Sequence, residues 1–348
     1  MDDAAVQALF LPFVDGTLAP PARLLWLRAR DGQGLQQFRS LFPASTIVAE
    51  QSFRPFADAL PAWLDVSAAA TGRFEAVLLL PPRQRDEARA LLARALDQVV
   101  EGGLVVASVA NNEGARAIQS DLARLAGEPA VLSKHKCRVF WLRADAARRD
   151  AALVQQWAAI DVPRAIADGR FLSRPGLFAW DRIDTASALL AAHLPEDLAG
   201  AGADLGAGYG FLADAVLRRC AQVTALDLYE AEARALALAQ RNLAATAAVR
   251  AAPVALGYHW HDVVRGLPRR YDFIVMNPPF HQGRADRPEL GRGFIRAAAQ
   301  ALTATGRLLL VANRHLAYEE ELQRHFTQTR VLADAQGFKV IQAQGTRA

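Results

Sequence analysis

The chain has 348 residues, of which 52% are hydrophobic and 22% are charged, and its formal net charge is +4. At roughly 100–200 residues per domain, this length predicts about two domains. The composition allows a full hydrophobic core, which excludes a largely disordered chain. The acidic start Met1-Asp2-Asp3 lacks the basic segment of a secretory signal, and no apolar run approaches the ~18 residues of a membrane helix. We therefore expect neither secretion nor a membrane segment.

The two cysteines, Cys137 and Cys220, lie far apart and form no CxxC pattern. This argues against a disulfide framework and a zinc site, so we expect no metal and a cytoplasmic location. The mild positive charge permits nucleic-acid binding without requiring it. Most basic residues are arginine, which suits phosphate contacts, although a genome rich in G and C would give the same bias.

The first half contains strand-like apolar runs at 74–80, 104–110 and 137–140, and the first of these is followed by Pro81-Pro82. A segment at 145–169 follows and carries helix-forming alanines. We interpret this segment as a helical connector and not as a flexible tether.

The second half alternates predicted strands with predicted helices. The strands are expected at 203–205, 223–226, 249–256, 272–276, 308–312, 330–333 and 338–343. The helices are expected at 211–217, 229–245 and 290–304. This alternation predicts a mostly parallel α/β sheet covered on both faces. Ligands bind such sheets at the carboxyl ends of the strands, where the chemically suggestive polar and glycine residues of this half fall.

The first half resembles the second in order and spacing. Residues 74–82 resemble 271–279, residues 102–111 resemble 305–313, and residues 137–140 resemble 338–341. We therefore predict two tandem copies of one Rossmann-like α/β fold, with domains at 1–155 and 156–348.

The chemistry of the second half is not repeated in the first. Leu80 stands where Asn277 stands, the segment 26–32 lacks a G-x-G-x-G pattern, and Glu50 is matched to Asp227. We interpret the first copy as degenerate and without a cofactor site. It would either grip the substrate or support the packing of the second copy.

A glycine loop follows the first predicted strand of the second half, with Gly206, Gly208 and Gly210 after Asp204. Glycine tolerates positive φ and leaves room for a ligand against bare backbone. The spacing differs from the G-x-G-x-x-G of dinucleotide sites, although a NAD-type site stays possible. We expect the loop to pass under the sulfonium and amino-acid end of S-adenosylmethionine, with Asp204 close to its ammonium group.

Two further acids are candidates for the same cofactor. Asp227 is expected at the end of the next strand, where a carboxylate can accept from ribose hydroxyls. Asp262 follows the third predicted strand and could accept from the adenine amino group, although an ordinary loop aspartate is an equally good interpretation.

The tetrapeptide Asn277-Pro278-Pro279-Phe280 follows a buried strand. The carboxamide of Asn277 offers an acceptor oxygen, and the carbonyl of Pro278 could offer a second beside prolines that carry no N–H. Two acceptors match the two N–H groups of an exocyclic amine and would aim its lone pair at a methyl donor. Phe280 would stack on an extruded base. The alternative is an ordinary Asn-Pro turn.

The segment after this motif is polar and basic, and it contains His281, Arg284, Arg287 and, further on, Arg292. The arginines could contact phosphates near the site, although a solvated basic rim explains them equally well. We expect His281 to be a polar rim residue and not a general base.

Five segments together resemble the ribosomal RNA small subunit methyltransferase C family. They are Ser-Arg-Pro-Gly-Leu-Phe at 173–178, Asp184, Asp-Leu-Gly-Ala-Gly-Tyr-Gly at 204–210, Asn-Pro-Pro-Phe-His at 277–281 and Val-Ala-Asn at 311–313. Members of that family are guanine-N2 methyltransferases with two tandem methyltransferase-like domains, and only the second domain binds the cofactor. The resemblance covers nearly the whole chain.

The resemblance implies four residues that bind S-adenosylmethionine: Asp204, Gly206, Gly208 and Asp227. It also implies that Asn277 positions the amine, that Phe280 stacks on the base, and that the segment around Phe178 and Asp184 roofs the cofactor pocket. Two positions depart from the family pattern, namely Ala207, where cysteine is common, and Tyr209, which is bulky between glycines. The basic stretch at 265–270 is also unusual, and it bears on the substrate and not on the cofactor.

We therefore expect a monomeric enzyme that methylates a guanine N2 amine of ribosomal RNA, in 16S RNA or the small subunit. Three alternatives are a large-subunit guanine-N2 methyltransferase, a protein-glutamine methyltransferase, and a non-catalytic RNA-binding assembly factor. Phe280 and the α/β first half count against the glutamine enzymes, which carry Asn-Pro-Pro-Tyr after a helical domain. The intact glycine loop and Asn277 count against the assembly factor.

Overall fold

The computed structural model describes residues 3–279, 281–282, 285–286, 288–316 and 318–347, with the backbone alone at 281, 282, 285, 286 and 288. The chain forms two compact units, Met1–Val162 and Pro163–Ala348. The division lies seven residues after the boundary chosen in the sequence analysis.

The first unit contains seven strands and six α-helices within its described residues. The strands are β1 (Arg23–Leu27), β2 (Thr46–Glu50), β3 (Asp65–Ser67), β4 (Phe74–Leu79), β5 (Val99–Ala110), β6 (Ala130–Lys134) and β7 (Cys137–Arg143). The helices are α1 (Ala4–Val14), α2 (Gln33–Leu41), α3 (Arg54–Ala59), α4 (Arg85–Gln98), α5 (Ala115–Ala126) and α6 (Ala151–Ala158). Helix α6 lies in the segment that the sequence analysis interpreted as a connector, and it packs on α4.

The second unit begins with a short hairpin and continues with the same kinds of element. Its strands are β8 (Arg164–Ile166), β9 (Phe171–Ser173), β10 (Gly200–Leu205), β11 (Val223–Glu230), β12 (Ala255–Trp260), β13 (Tyr271–Met276), β14 (His281–Gln282), β15 (Ala285–Asp286), β16 (Leu302–Asn313), β17 (Phe326–Ala335) and β18 (Phe338–Thr346). Its helices are α7 (Thr185–Ala192), α8 (Phe211–Arg219), α9 (Ala233–Ala248), α10 (Pro288–Ala301) and α11 (Glu319–His325).

The two large sheets have the same strand order. The first runs β3-β2-β1-β4-β5-β7-β6 and the second β12-β11-β10-β13-β16-β18-β17. In each sheet five strands are parallel, and the hairpin at one edge adds two antiparallel strands. The predicted fold class, two tandem Rossmann-like domains, is confirmed.

The strand registers show which residues of the two sheets occupy corresponding positions at the carboxyl ends of the strands. The last residue of β4 pairs with the last residue of β1, and the last residue of β13 pairs with the last residue of β10. The next residue is Leu80 in the first unit and Asn277 in the second. Helices α2 and α8 begin directly after Gly32 and Gly210, so the segment 26–32 corresponds to 204–210.

Several observed strands are longer than predicted, and two of the differences bear on the site. The third strand of the second unit is β12, which begins at Ala255, six residues later than predicted, because α9 extends to Ala248 through an alanine-rich stretch. Strand β11 does not stop at Asp227 but continues to Glu230. Parallel pairing with β12 along its length accounts for this extension, since Glu230 still pairs with Trp260.

Helices cover both faces of each sheet. In the second unit, α7, α8 and α9 pack on one face through a buried aliphatic core, and α10 and α11 pack on the other. The first unit has α1 and α2 on one face and α4, α5 and α6 on the other. Parallel sheets need this double cover because both faces of their strands are apolar.

Among the described residues, every helix is too short or too polar to cross a bilayer. Both cysteines are buried free thiols.

A buried carboxylate ties the β8–β9 hairpin to the helical face of the second unit. Asp214 in α8 is 1% exposed and pairs with Arg170, which follows β8, and with Arg218 one turn along its helix. The hydroxyl of Thr246 in α9 also donates to this carboxylate. Because each of these partners comes from a different segment, the carboxylate holds three segments together.

We expect Asp214→Ala to lower the free energy of unfolding by about 1–3 kcal/mol, because a buried hydrogen-bonded acceptor is lost while its half-exposed arginine partners can return to water. Urea denaturation measures the change. The matched control is Asp145→Ala, which removes an ion pair with Arg148 whose two side chains are 45% and 72% exposed. This control is expected to cost less than about 0.5 kcal/mol, and an equal loss in both variants would contradict the anchoring role of Asp214.

Candidate active site

A pocket of about 430 Å³ opens at the carboxyl edge of the second sheet. Its wall includes residues from three separate segments of the chain. The lining residues include Phe178, Asp184, Ser187, Gly206, Gly208 and Asn277. The structure thus brings together five of the residues proposed from sequence, whereas Asp204, Gly210, Asp227 and Asp262 do not line the pocket.

The glycine loop forms the floor of this pocket. Gly206, Gly208 and Gly210 have φ values of 72°, 55° and 93°, a region that only glycine enters without strain. The N–H groups of Gly206 and Ala207 donate to the carbonyl of Tyr229, which holds the turn against β11. A Cβ at Gly208 would project into open space, whereas one at Gly210 would press on α9. The loop therefore offers bare backbone to a ligand.

Glu230 is the acid at the end of β11 and a candidate ligand residue that the sequence analysis missed. It does not itself line the pocket, but it contacts the glycine loop at Gly208. Its carboxylate accepts from the N–H of Gly208 over 2.7 Å and from the N–H of Glu232 over 2.8 Å. Burial raises the pKa of Glu230. Each carboxylate oxygen keeps a lone pair for a further donor, so Glu230 can accept from a pair of hydroxyls at the glycine loop.

Asp227 does not occupy the position expected for it. It lies in the middle of β11, is 3% exposed, and accepts from the hydroxyl of Tyr271 over 2.6 Å and from the guanidinium of Arg269. His259 lies 3.2 Å from its other oxygen. Burial alone would raise the pKa of this carboxyl, but these donors outweigh it and leave the pKa below its usual value. The Asp227 carboxylate is therefore occupied by partners within the protein and is not presented to a ligand in the pocket.

Asp204 is also buried beneath the pocket and not open to it. It is 0% exposed, and its Oδ2 accepts from the N–H of Ala213 at the start of α8. Its Oδ1 has no hydrogen-bond partner among the described residues. Burial raises the pKa of Asp204 to about 7, and the charge of Glu230 contributes in the same direction.

We expect Asp204 to make the stability of the protein dependent on pH. Its pKa is higher in the folded chain than in the unfolded chain, so its contribution is full below about pH 4 and is lost as the pH rises through about 7. Asp204→Asn removes this titration. Urea denaturation at several pH values should show the variant gaining stability relative to wild type between pH 4 and 7.5. A difference that does not change over this range would show that Asp204 does not titrate there.

Tyr209, which departs from the family pattern, connects the loop to the segment above it. Its ring is 6% exposed and packs on Phe171 of β9, with ring centroids 5.7 Å apart. Its hydroxyl donates to the carbonyl of Arg182 over 3.1 Å, and burial raises its pKa to about 12. Asn242 of α9 adds hydrogen bonds to the carbonyls of Tyr209 and Leu172. Tyr209 therefore fixes the glycine loop to the β8–β9 hairpin and to the segment at Arg182, and it also lines the pocket.

Phe178 lies at the mouth of the pocket and is 66% exposed. It precedes Ala179, whose φ of 47° turns the chain sharply. The position of Phe178 fits the roof that the family resemblance implies.

Asn277 directly follows β13 and points its carboxamide at the start of α7. Its Nδ2 donates to Asp184 Oδ2 over 3.0 Å and to Ser187 Oγ over 2.9 Å. Asp184 is the N-cap of α7, since the same oxygen accepts from the N–H of Ser187 over 2.8 Å. The Oδ1 of Asn277 is therefore the end of the carboxamide available to a ligand.

Three further residues proposed from the sequence are described but do not line the pocket, namely Pro278, Asp262 and Arg292. Pro278 is buried. Asp262 caps a short 3₁₀ turn, Val263–Arg265, by accepting from the N–H of Val264. Arg292 pairs with Glu289 in α10. Phe280, Arg284, Arg287 and the side chain of His281 lie outside the described residues.

Comparison with known proteins gives consistent matches. Residues 168–342 match the family described as "Methyltransferase small domain". The "Ribosomal RNA small subunit methyltransferase C" of Pseudomonas paraeruginosa is 31% identical over 277 residues, covering 79% of this chain and 81% of the relative. The "Ribosomal RNA large subunit methyltransferase G" of Alcanivorax borkumensis is 37% identical over 180 residues, covering 51% of this chain and 44% of the relative.

A solved structure matches both units. It is the 16S rRNA N2 methyltransferase of T. thermophilus in complex with AdoMet and guanosine, with a TM-score of 0.78 and 25% identity. The match covers 97% of this chain and 91% of that chain.

Fold and pocket together define an α/β methyltransferase with a glycine-loop pocket in its second unit. The chain belongs to the methyltransferase small domain family and, within it, to the ribosomal RNA small subunit methyltransferase C family. The family expected from the sequence is confirmed.

Proposed function

We propose that this protein transfers a methyl group from S-adenosylmethionine to the exocyclic N2 amine of a guanine in 16S ribosomal RNA. The observation that carries the proposal is the Asn277 carboxamide, which lines the pocket beside the glycine loop while its nitrogen is held by Asp184 and Ser187. Its oxygen is therefore the end that is left for a ligand. The match to a 16S rRNA N2 methyltransferase solved with AdoMet and guanosine supports the same chemistry.

The pocket residues fit the cofactor. Gly206 and Gly208 present backbone without Cβ atoms, and Glu230 holds two carboxylate oxygens beside them that suit the ribose hydroxyls. Phe178 offers an apolar roof. We propose that these four residues bind S-adenosylmethionine, and that Asp204 and Gly210 support them by holding the strand-to-helix turn. Asp262 stays a candidate for the adenine amino group.

When bound, S-adenosylmethionine supplies a methyl group on a sulfonium that leaves as a neutral thioether. The protein must then hold the amine with its lone pair in line with that methyl group. We propose that Asn277 Oδ1 accepts one N–H of the amine, that the carbonyl of Pro278 accepts the other, and that Phe280 stacks on the base. After transfer the nitrogen releases its extra proton, so the residues need not include a strong base.

We propose that the first unit has no cofactor site. Three substitutions at corresponding positions support this: Arg28 replaces Gly206, Gln51 replaces Glu230, and Leu80 replaces Asn277. Gln51 is 4% exposed, and its side chain donates to the carbonyl of Ala29, inside the space of the loop. The sequence analysis matched Glu50 with Asp227. The strand registers correct this, because Glu50 corresponds to Tyr229 and Gln51 corresponds to Glu230.

The first unit would then serve either to bind RNA or to support the second unit. We further propose that the protein acts in the cytoplasm as a monomer. The monomer is supported by the pocket, because every described residue that lines it belongs to the second unit of one chain. The small subunit is favoured over the large subunit because the alignment with the small-subunit relative covers 81% of that protein, against 44% for the large-subunit relative.

The substrate can be identified with labelled cofactor and ribosomal RNA from a strain that lacks this protein. Small subunits, large subunits and naked RNA are incubated separately, and the labelled nucleotide is mapped. We expect label at one guanine N2 of 16S RNA, and label confined to large-subunit RNA or to protein would contradict the proposal.

Asn277→Ala should lower kcat about 100-fold or more while the cofactor Kd changes less than about threefold. Turnover of that variant at the wild-type rate would contradict the role of Asn277.

The acid that binds the cofactor can be tested with a matched pair of amide substitutions. We expect Glu230→Gln to raise the cofactor Kd about 10-fold or more, because the amide nitrogen cannot accept from a hydroxyl. Asp227→Asn, at a carboxylate already used by Arg269 and Tyr271, should raise it less than threefold. Isothermal titration measures the cofactor Kd of both variants. A larger rise in Asp227→Asn than in Glu230→Gln would assign the ribose-binding role to Asp227.

A further inference from the structure

The Asn277 carboxamide is held from one side by the start of α7. Both of its N–H groups are used, one by Asp184 Oδ2 at 3.0 Å and one by Ser187 Oγ at 2.9 Å. Asp184 and Ser187 precede Asn277 by 93 and 90 residues, so tertiary folding creates this contact. Ser187 is 8% exposed, which leaves little water to replace its hydroxyl.

The contact determines which end of the carboxamide faces the pocket. A carboxylate only accepts hydrogen bonds, and an amide oxygen only accepts them, so the oxygen of Asn277 cannot take the place of its nitrogen beside Asp184. Asp184 is itself held, because its Oδ2 also accepts from the N–H of Ser187 as the N-cap of α7. A turn of the carboxamide by 180° would place two acceptors against each other.

We propose that Asp184 and Ser187 are positioning residues that lock Asn277 with its oxygen toward the substrate, so that the site receives only a group that donates N–H. The inference rests on the proposed function, since it assumes that this oxygen meets the reacting amine. It replaces the sequence-based assignment of Asp184 as a cofactor ligand. A ring nitrogen or carbonyl without a hydrogen finds no donor at this position.

We call the two hydrogen bonds from Asn277 Nδ2 to Asp184 and Ser187 the lock. Loss of the lock should have a specific effect on the kinetics. With one acceptor missing, the carboxamide samples the reversed orientation, in which its N–H groups face the amine. The fraction of complexes aligned for transfer then falls, which lowers kcat. Binding of the cofactor and of the remainder of the RNA depends on other contacts, so the cofactor Kd and the KM for RNA change little.

Four substitutions separate this role from helix capping. Ser187→Ala removes one acceptor but keeps the backbone N–H that bonds Asp184, and Ser187→Thr keeps the hydroxyl. Asp184→Ser keeps an N-cap, although its hydroxyl is too short to reach Asn277. Asp184→Asn keeps the length and an acceptor oxygen. We expect kcat to fall about 10-fold in Ser187→Ala and about 30-fold in Asp184→Ser, and to recover to within about fivefold of wild type in the two conservative variants.

The control is Asp150→Ala, which removes an N-cap of the same kind from α6 in the first unit and should leave kcat within about twofold of wild type. The side-chain amide protons of Asn277 give a second readout by NMR, since they should exchange with solvent faster in Ser187→Ala.

If Ser187→Ala and Asp184→Ser keep wild-type kcat, the positioning role is refuted while the methyltransferase activity stands. If instead the cofactor Kd rises with kcat intact, Asp184 is a cofactor ligand and the lock is again refuted. Wild-type protein that methylates no ribosomal RNA would refute the proposed function and the lock together.

Discussion

The hydrogen bonds between the Asn277 carboxamide and the start of α7 join the two sides of the pocket in the second unit. One side is the carboxyl edge of the parallel sheet, and the other is the segment that carries Phe178 and ends in the N-cap Asp184. Because a carboxylate accepts and never donates, this junction also determines the polarity of the site. The same contact therefore supports the shape of the pocket and the direction of its chemistry.

The two units share one fold but carry different residues at the carboxyl edges of their sheets. Their sheets share strand order and register, since the apolar faces of parallel strands must be covered in either case. The exposed edge carries no such constraint. Arg28 retains the positive φ of the glycine that it replaces, at 59°, and its side chain pairs with Glu87. Bare backbone is thereby lost, and Gln51 fills the space beside it.

The amino-acid sequence by itself determined the fold class, the repeat and the glycine loop, and it indicated Asn277 as a candidate site residue. These features depend on local patterns, because strand and helix periods, glycine spacing and a strand followed by Asn-Pro-Pro are readable along a short stretch of chain. The family resemblance depends on the same stretches. The prediction that Leu80 replaces Asn277 is confirmed by the register for the same reason, since equal strand lengths preserve the count of residues.

Tertiary structure alone decided which acid at the end of β11 contacts the glycine loop. Strand β11 runs three residues beyond Asp227 because it pairs with β12 as far as Glu230, and no local pattern states where such pairing ends. Asp227 is then enclosed by Arg269 from a distant loop, and Glu230 meets Gly208 at the edge. Hydrogen bonds between segments far apart in the chain depend on the packed fold. For that reason the sequence predicted the asparagine of the candidate site, and the fold decided that its carboxamide nitrogen is held at the start of α7.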